Sequence, residues 1–146
     1  MSIRIFYDKT NYRIRGWRNT VKLIEKVIVK EKKISGDLNF IITHDETLRE
    51  INIKFLEHDY NTDVISFDYS KEKVVNGEIY ISLETVRNNA INYNVSLRNE
   101  LFRVIIHGVL HLIGYDDIAL EQKKIMREME NKWLRLMKEQ NNGFQV

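Results

Sequence analysis

Two histidines, His107 and His111, stand four residues apart in the stretch from Leu101 to Gly114, which reads L-F-R-V-I-I-H-G-V-L-H-L-I-G. On a helix that spacing puts both side chains on one face, one turn from each other, so two imidazoles can share one cation. Gly114, three residues beyond His111, suits the left-handed backbone that ends a helix, and the turn it permits can swing Asp117 back toward the histidines. His107, His111 and Asp117 then offer two neutral nitrogens and a carboxylate. A tetrahedral ion with three such donors keeps one position for water, the arrangement of catalytic rather than structural zinc. One Zn2+ ion is the expected cofactor; nickel, cobalt and manganese fit the same donor types. The third ligand stays open between neighbours, because Asp117 precedes Ile118 and Leu120 as a helix N-cap would, and Asp116 stands beside it. A bare H-x3-H pair also arises as ordinary core or surface histidines, and it is the full H-x3-H-x2-G-x2-D spacing that argues for metal. The chain has no cysteine, which removes disulfides, thiolate metal sites, iron–sulfur clusters and cysteine nucleophiles together.

The spacing is similar to that of the metzincin proteases, H-E-x-x-H-x-x-G-x-x-H, with Asp117 at the third-ligand position. The residue after the first histidine is Gly108, where those proteases keep the glutamate that carries a proton from the attacking water to the leaving amine. An amine leaves poorly without that proton, which argues against a peptidase. A phosphodiester tolerates the loss better, so hydrolysis of RNA survives it.

The run from His107 to Asp116, H-G-V-L-H-L-I-G-Y-D, resembles the signature of the YbeY family, bacterial endoribonucleases of ribosomal RNA maturation. The family's central motif, an Asn, an aromatic-Arg pair and then T-D-V-L-S-F, is similar to Asn52 through Phe67, with Thr62-Asp63-Val64-Ile65-Ser66-Phe67 nearly intact. Gly77-Glu78-Ile79-Tyr80-Ile81-Ser82 resembles the family's G-D-I-x-I-S strand, and the long helix carrying Met126 and Glu130 falls where the family has one. Two positions depart from the pattern: Asp117 replaces the usual third histidine, and Leu56 replaces the arginine before T-D-V. The resemblance implies a single-strand-specific, metal-dependent endoribonuclease acting in ribosomal RNA maturation and ribosome assembly or quality control. Its partners would be ribosomal RNA and small ribosomal subunit precursors, with the metal role on His107, His111 and Asp117. A rival reading, which Leu56 favours, is an assembly factor that binds RNA, with a structural metal and weak or no nuclease activity. A third is a metallohydrolase of a small-molecule or peptide substrate. An exchangeable water at the fourth coordination position separates the first reading from the second. His58, two residues on, is either a substitute donor or general acid for the missing arginine or an idle loop histidine, and Thr62 and Asp63 either serve the site or order the turn into the strand at Val64.

These residues need elements to hold them. Residues 2 to 7, 38 to 43, Val64 to Tyr69 and Glu78 to Ser82 have the β-branched and aromatic content of strands. Arg18 to Lys33, Asp45 to Phe55, Leu83 to Tyr93, Leu97 to Leu112 and Ile118 to Lys138 have helical apolar spacing. The expected fold is α+β: one domain over residues 1–146, with a four-stranded mixed sheet packed with about five helices, one of them a metzincin-like metal helix. No proline, linker or repeat marks a boundary within it. With 43% hydrophobic and 30% charged residues the composition is that of a soluble globular chain, without an 18-residue apolar run or a secretory signal, so a cytoplasmic location is expected. Net charge is only +2, yet it is +7 over residues 1–36, −7 over 37–86 and +2 over 87–146. In the basic N-terminal part Tyr7, Tyr12 and Trp17 interleave with Arg13, Arg15 and Arg18, a composition suited either to nucleic acid or to a solvated helix face.

Overall fold

The first strand, β1 (Ile3–Tyr7), alternates: Ile3, Ile5 and Tyr7 pack on the core while Arg4 and Phe6 face out. Helix α1 (Trp17–Lys30) then buries Thr20, Leu23, Ile24, Val27 and Ile28, a stripe at helical spacing, and leads to β2 (Ile34–Thr43), which runs parallel to β1. Helix α2 (Asp45–Ile51) widens into a π-type turn over Asn52–Leu56. Beyond it β3 (Val64–Asp68) and β4 (Val74–Ser82) pair antiparallel, and β4 lies parallel to β2, giving a mixed sheet of order β1-β2-β4-β3. Three further helices follow: α3 (Leu83–Asn92), α4 (Leu97–Ile113) and α5 (Leu120–Gly143). The structure, a computed structural model, describes residues 2–56 and 63–143.

Among the described residues, the α+β class, the four-stranded mixed sheet and the five helices agree with what the sequence indicates. Two strands start earlier than the sequence indicates. Strand β2 begins at Ile34 because Gly36 and Asp37 form a bulge where the register shifts between Ser35 and Leu38. Asp37 is held there from both sides: its N–H donates to Asn76 Oδ1 at 2.7 Å, and its carboxylate accepts from the Ser2 N–H at 3.0 Å. The same pairing draws Val74–Gly77 into β4.

Helix α4 lies at the centre of the packing, touching α1, α3, α5, β3 and β4. From Glu100 to Ile113 every residue is buried except Arg103, His107 and His111, which fall four apart in one stripe. Gly108 faces the sheet. A Cβ there would stand 3.0 Å from Ile79 Cγ2 and 3.1 Å from Ile79 Cδ1, so its absence lets α4 approach β4. On α5, Met126, Glu130, Trp133, Leu134 and Met137 are buried, an apolar stripe with a single carboxylate inside it. Among the described residues no helix is long and apolar enough to cross a membrane.

Candidate metal centre

Both ends of α4 are fixed by local chemistry. Ser96 caps its N-terminus, accepting from the Asn99 N–H at 3.0 Å. At the other end Gly114 takes φ 121°, and the Gly114 and Tyr115 N–H groups donate to the carbonyls of His111 and Leu110 at 3.1 and 3.0 Å, a Schellman closure. The reversed chain brings the Asp117 carboxylate onto the histidine face, 3.3 Å from His107 Nε2 and 3.4 Å from His111 Nε2. The two Nε2 atoms are 2.9 Å apart. Asp117 is not the cap of α5, because Gln122 Oε1 takes the Ile118 and Ala119 N–H groups at 3.2 and 2.9 Å. Asp116 lies outside the cluster and reaches His111 only through its field.

This donor set suits a small divalent ion. One atom from each of His107, His111 and Asp117 lies within 4.8 Å of the others, the one such group among the described residues. A tetrahedral ion about 2.0–2.1 Å from its ligands spaces them about 3.4 Å apart, close to the separations found.

A residue to which the sequence alone assigns no role orients His107. Glu130, from α5, accepts at Oε2 from His107 Nδ1 at 2.7 Å, which leaves Nε2 for the shared centre. Its other oxygen accepts from Arg103 Nη1 at 3.0 Å, and Arg103 Nη2 donates to Asn131 Oδ1 at 2.9 Å. Burial disfavours charge on His107, but the Glu130 hydrogen bond and the fields of Glu130, Asp117 and Asp63 outweigh it and raise its pKa. His111 goes the other way: burial and the neighbouring His107 lower it despite Asp117. For Glu130, burial is outweighed by the hydrogen bonds and charges of His107 and Arg103, and its pKa is lowered. The signal for Glu130 in the sequence was its place in the apolar stripe of α5, where a carboxylate needs a partner.

A cleft of about 340 Å³ opens beside the centre, walled by the end of α3, by α4 and by α5. His107 and Asp117 line it, with Asp63 and Glu100. Burial raises the pKa of both acids, and Glu100 Oε1 has no hydrogen-bond partner among the described residues. Asp63 also orders the start of β3: its carboxylate is hydrogen-bonded to the backbone of Asp63 and Val64, and its carbonyl accepts from the Ser82 N–H at 2.9 Å. His58 and Thr62 lie outside the described residues. Much of the N-terminal aromatic-basic group is engaged internally. Tyr7, Tyr12 and Trp17 pack on the core, and Arg13 donates to the carbonyls of Thr10 and Tyr12 with its guanidinium over the Tyr7 ring.

Comparison with known proteins agrees with this architecture. Residues 5–138 match the family described as Endoribonuclease YbeY. A protein of that name from Flavobacterium psychrophilum is 42% identical over 137 residues, covering 94% of this chain and 98% of its own length. Another from Parabacteroides distasonis is 39% identical over 127 residues, covering 87% and 85%. The solution structure of a Thermotoga maritima protein superposes with a TM-score of 0.66 at 30% identity, covering 97% of this chain and 93% of that one. With a family match over most of its length and relatives at this identity, the chain belongs to the YbeY endoribonuclease family.

Proposed function

We propose that the chain is a zinc-dependent endoribonuclease that cuts unpaired ribosomal RNA during maturation of the small ribosomal subunit, in the cytoplasm. The observation that carries this reading is the convergence of His107 Nε2, His111 Nε2 and an Asp117 carboxylate at ligand spacing beside an open cleft. His107, His111 and Asp117 hold the ion. When bound, a divalent cation supplies Lewis acidity there, polarising a phosphoryl oxygen and offsetting its charge. Glu130 fixes the orientation of His107, and Arg103 fixes Glu130, so the ligand set is organised before the ion arrives. Gly108 sits against Ile79, so α4 offers no carboxylate next to the first histidine to act as a base, and turnover is expected to be slow. An unpaired strand can lay its backbone into a cleft of this size, whereas an A-form duplex presents a wider, stiffer surface.

The test is incubation of metal-loaded protein with end-labelled ribosomal RNA precursor, beside chelator-treated protein and His111→Ala. Cleavage confined to unpaired segments and lost in both controls supports the reading. Undiminished cleavage by His111→Ala would place the activity elsewhere.

A further inference from the structure

The cleft beside the metal centre differs between floor and rim. The floor is acidic and engaged: Glu130, 5% exposed, takes His107 and Arg103, and Glu100, 3% exposed, lies 3.6 Å from Arg103 Nε. Arg103 is thereby committed to the floor. The rim is cationic. Lys123 and Arg127 line the same cleft and are exposed, and among the described residues neither makes a side-chain hydrogen bond or ion pair, although the field of Arg127 reaches Glu100. Four residues apart on α5, they stand one turn from each other, about 6 Å along the helix axis. Tyr93, where α3 ends, also lines the cleft and is 57% exposed, with Asn89 one turn before it on the same helix.

Exposed cations one turn apart can take phosphate oxygens of a chain running along α5. An exposed aromatic ring in the same groove offers a stacking platform that only a base outside a duplex can use. Both lie in the cleft that His107 and Asp117 line, so a strand held there passes the metal centre. We propose that Lys123 and Arg127 grip the phosphates, and Tyr93 stacks a base, of the RNA single strand that enters the metal centre. This rests on the reading of the chain as a single-strand endoribonuclease, and it names the side chains that make an unpaired strand the preferred ligand.

The experiment uses a fluorescein-labelled oligoadenylate with 2′-O-methyl sugars, which resists cleavage, and follows its anisotropy with the full-length metal-loaded protein over a series of salt concentrations. An unmodified single strand is assayed for cleavage in parallel. Each phosphate contact on a single strand contributes about 0.7 to the slope of log affinity against log salt, so Lys123→Ala/Arg127→Ala together should flatten it by about 1.4. Tyr93→Ala should weaken binding about ten-fold, Tyr93→Phe should restore it, and neither should change affinity for a duplex of the same length. Lys71→Ala/Lys73→Ala, removing two charges from the β3–β4 hairpin, serves as the control for net charge. All these positions are exposed, and thermal unfolding checks that each variant is folded. If the native protein binds and cuts while Lys123→Ala/Arg127→Ala keeps its affinity and slope, or loses no more than the hairpin control, the proposal is overturned and the nuclease reading stands. Loss on Tyr93→Ala that Tyr93→Phe does not restore overturns the stacking role. If the native protein neither binds nor cuts single-stranded RNA, the nuclease reading itself fails, and this inference with it.

Discussion

Replacing Glu130 by glutamine keeps the side-chain volume and removes the charge that two donors share. His107 Nδ1 meets Oε2 at 2.7 Å and Arg103 Nη1 meets Oε1 at 3.0 Å. A glutamine has one carbonyl oxygen, so one of the two donors would face an NH2 group instead. The site is 5% exposed, which gives water little room to replace the lost acceptor. An unsatisfied buried donor costs about 1–3 kcal/mol. Arg103 retains Asn131 at 2.9 Å and has 18% of its side chain exposed, so the lower half of that range, about 1–2 kcal/mol, applies to the metal-free protein. Metal affinity should fall about 10–100-fold, as it does when the carboxylate behind a ligating histidine is lost. Stabilisation by bound metal follows the logarithm of its concentration over the dissociation constant, so a 100-fold weakening removes up to about 2.7 kcal/mol more at saturating metal. Zinc affinity is measured by competition with a chromophoric chelator, and stability by urea unfolding with and without zinc. Unchanged zinc affinity in Glu130→Gln would refute the claim that Glu130 organises the first ligand.

Further variants probe the frame around the site. Gly108→Ala should destabilise by about 1–3 kcal/mol, because the new methyl group meets Ile79, and urea unfolding measures it. Gly114→Ala, at φ 121°, should cost about 1–2 kcal/mol or more and weaken zinc binding, since its turn places Asp117; chelator competition checks the second effect. Asp117→His should retain or tighten zinc binding, while His111→Ala should strip the metal, both read by elemental analysis. In metal-free protein the raised pKa of His107 gives a contribution present in full below the unfolded imidazole value and lost as pH rises through the folded one. Glu130, lowered, contributes above the unfolded carboxylate value and is lost as pH falls through the folded one. His111, lowered, acts in the opposite sense over the imidazole range, so the His107 part is read in chelated His111→Ala, whose urea midpoint should fall as pH rises through that range; a midpoint that does not fall would contradict it.

The parts of this site that sequence reveals are those set by local period. His107 and His111 lie on one helix with Gly114 at its end, and spacing alone aligns them. The choice between Asp116 and Asp117 is not legible, because it depends on Gln122 taking the Ile118 and Ala119 amides just before α5 and leaving Asp117 free to turn back. For Glu130 the apolar stripe of α5 signals that a buried carboxylate needs a partner, but not which one: it lies 23 residues from His107, and only the packing of α5 against α4 joins them. Gly108 was read for the base it does not supply, and the structure adds why a side chain is excluded there, the close approach of α4 to Ile79. The bulge in β2 was hidden because Gly36 and Asp37 carry turn chemistry that a sheet can also absorb. The arginines and aromatics near the N-terminus suited nucleic acid by composition, yet Arg13, Tyr7 and Trp17 use their hydrogen bonds and ring faces on the protein itself.

The measurement that bears most directly on the central claim is anomalous diffraction from crystals grown with zinc, collected on both sides of its absorption edge. The account predicts one peak bonded to His107 Nε2, His111 Nε2 and an Asp117 oxygen, with a fourth, exchangeable position open to the cleft. A peak held by other residues, no peak among these three, or a fourth position closed by a protein ligand would contradict it.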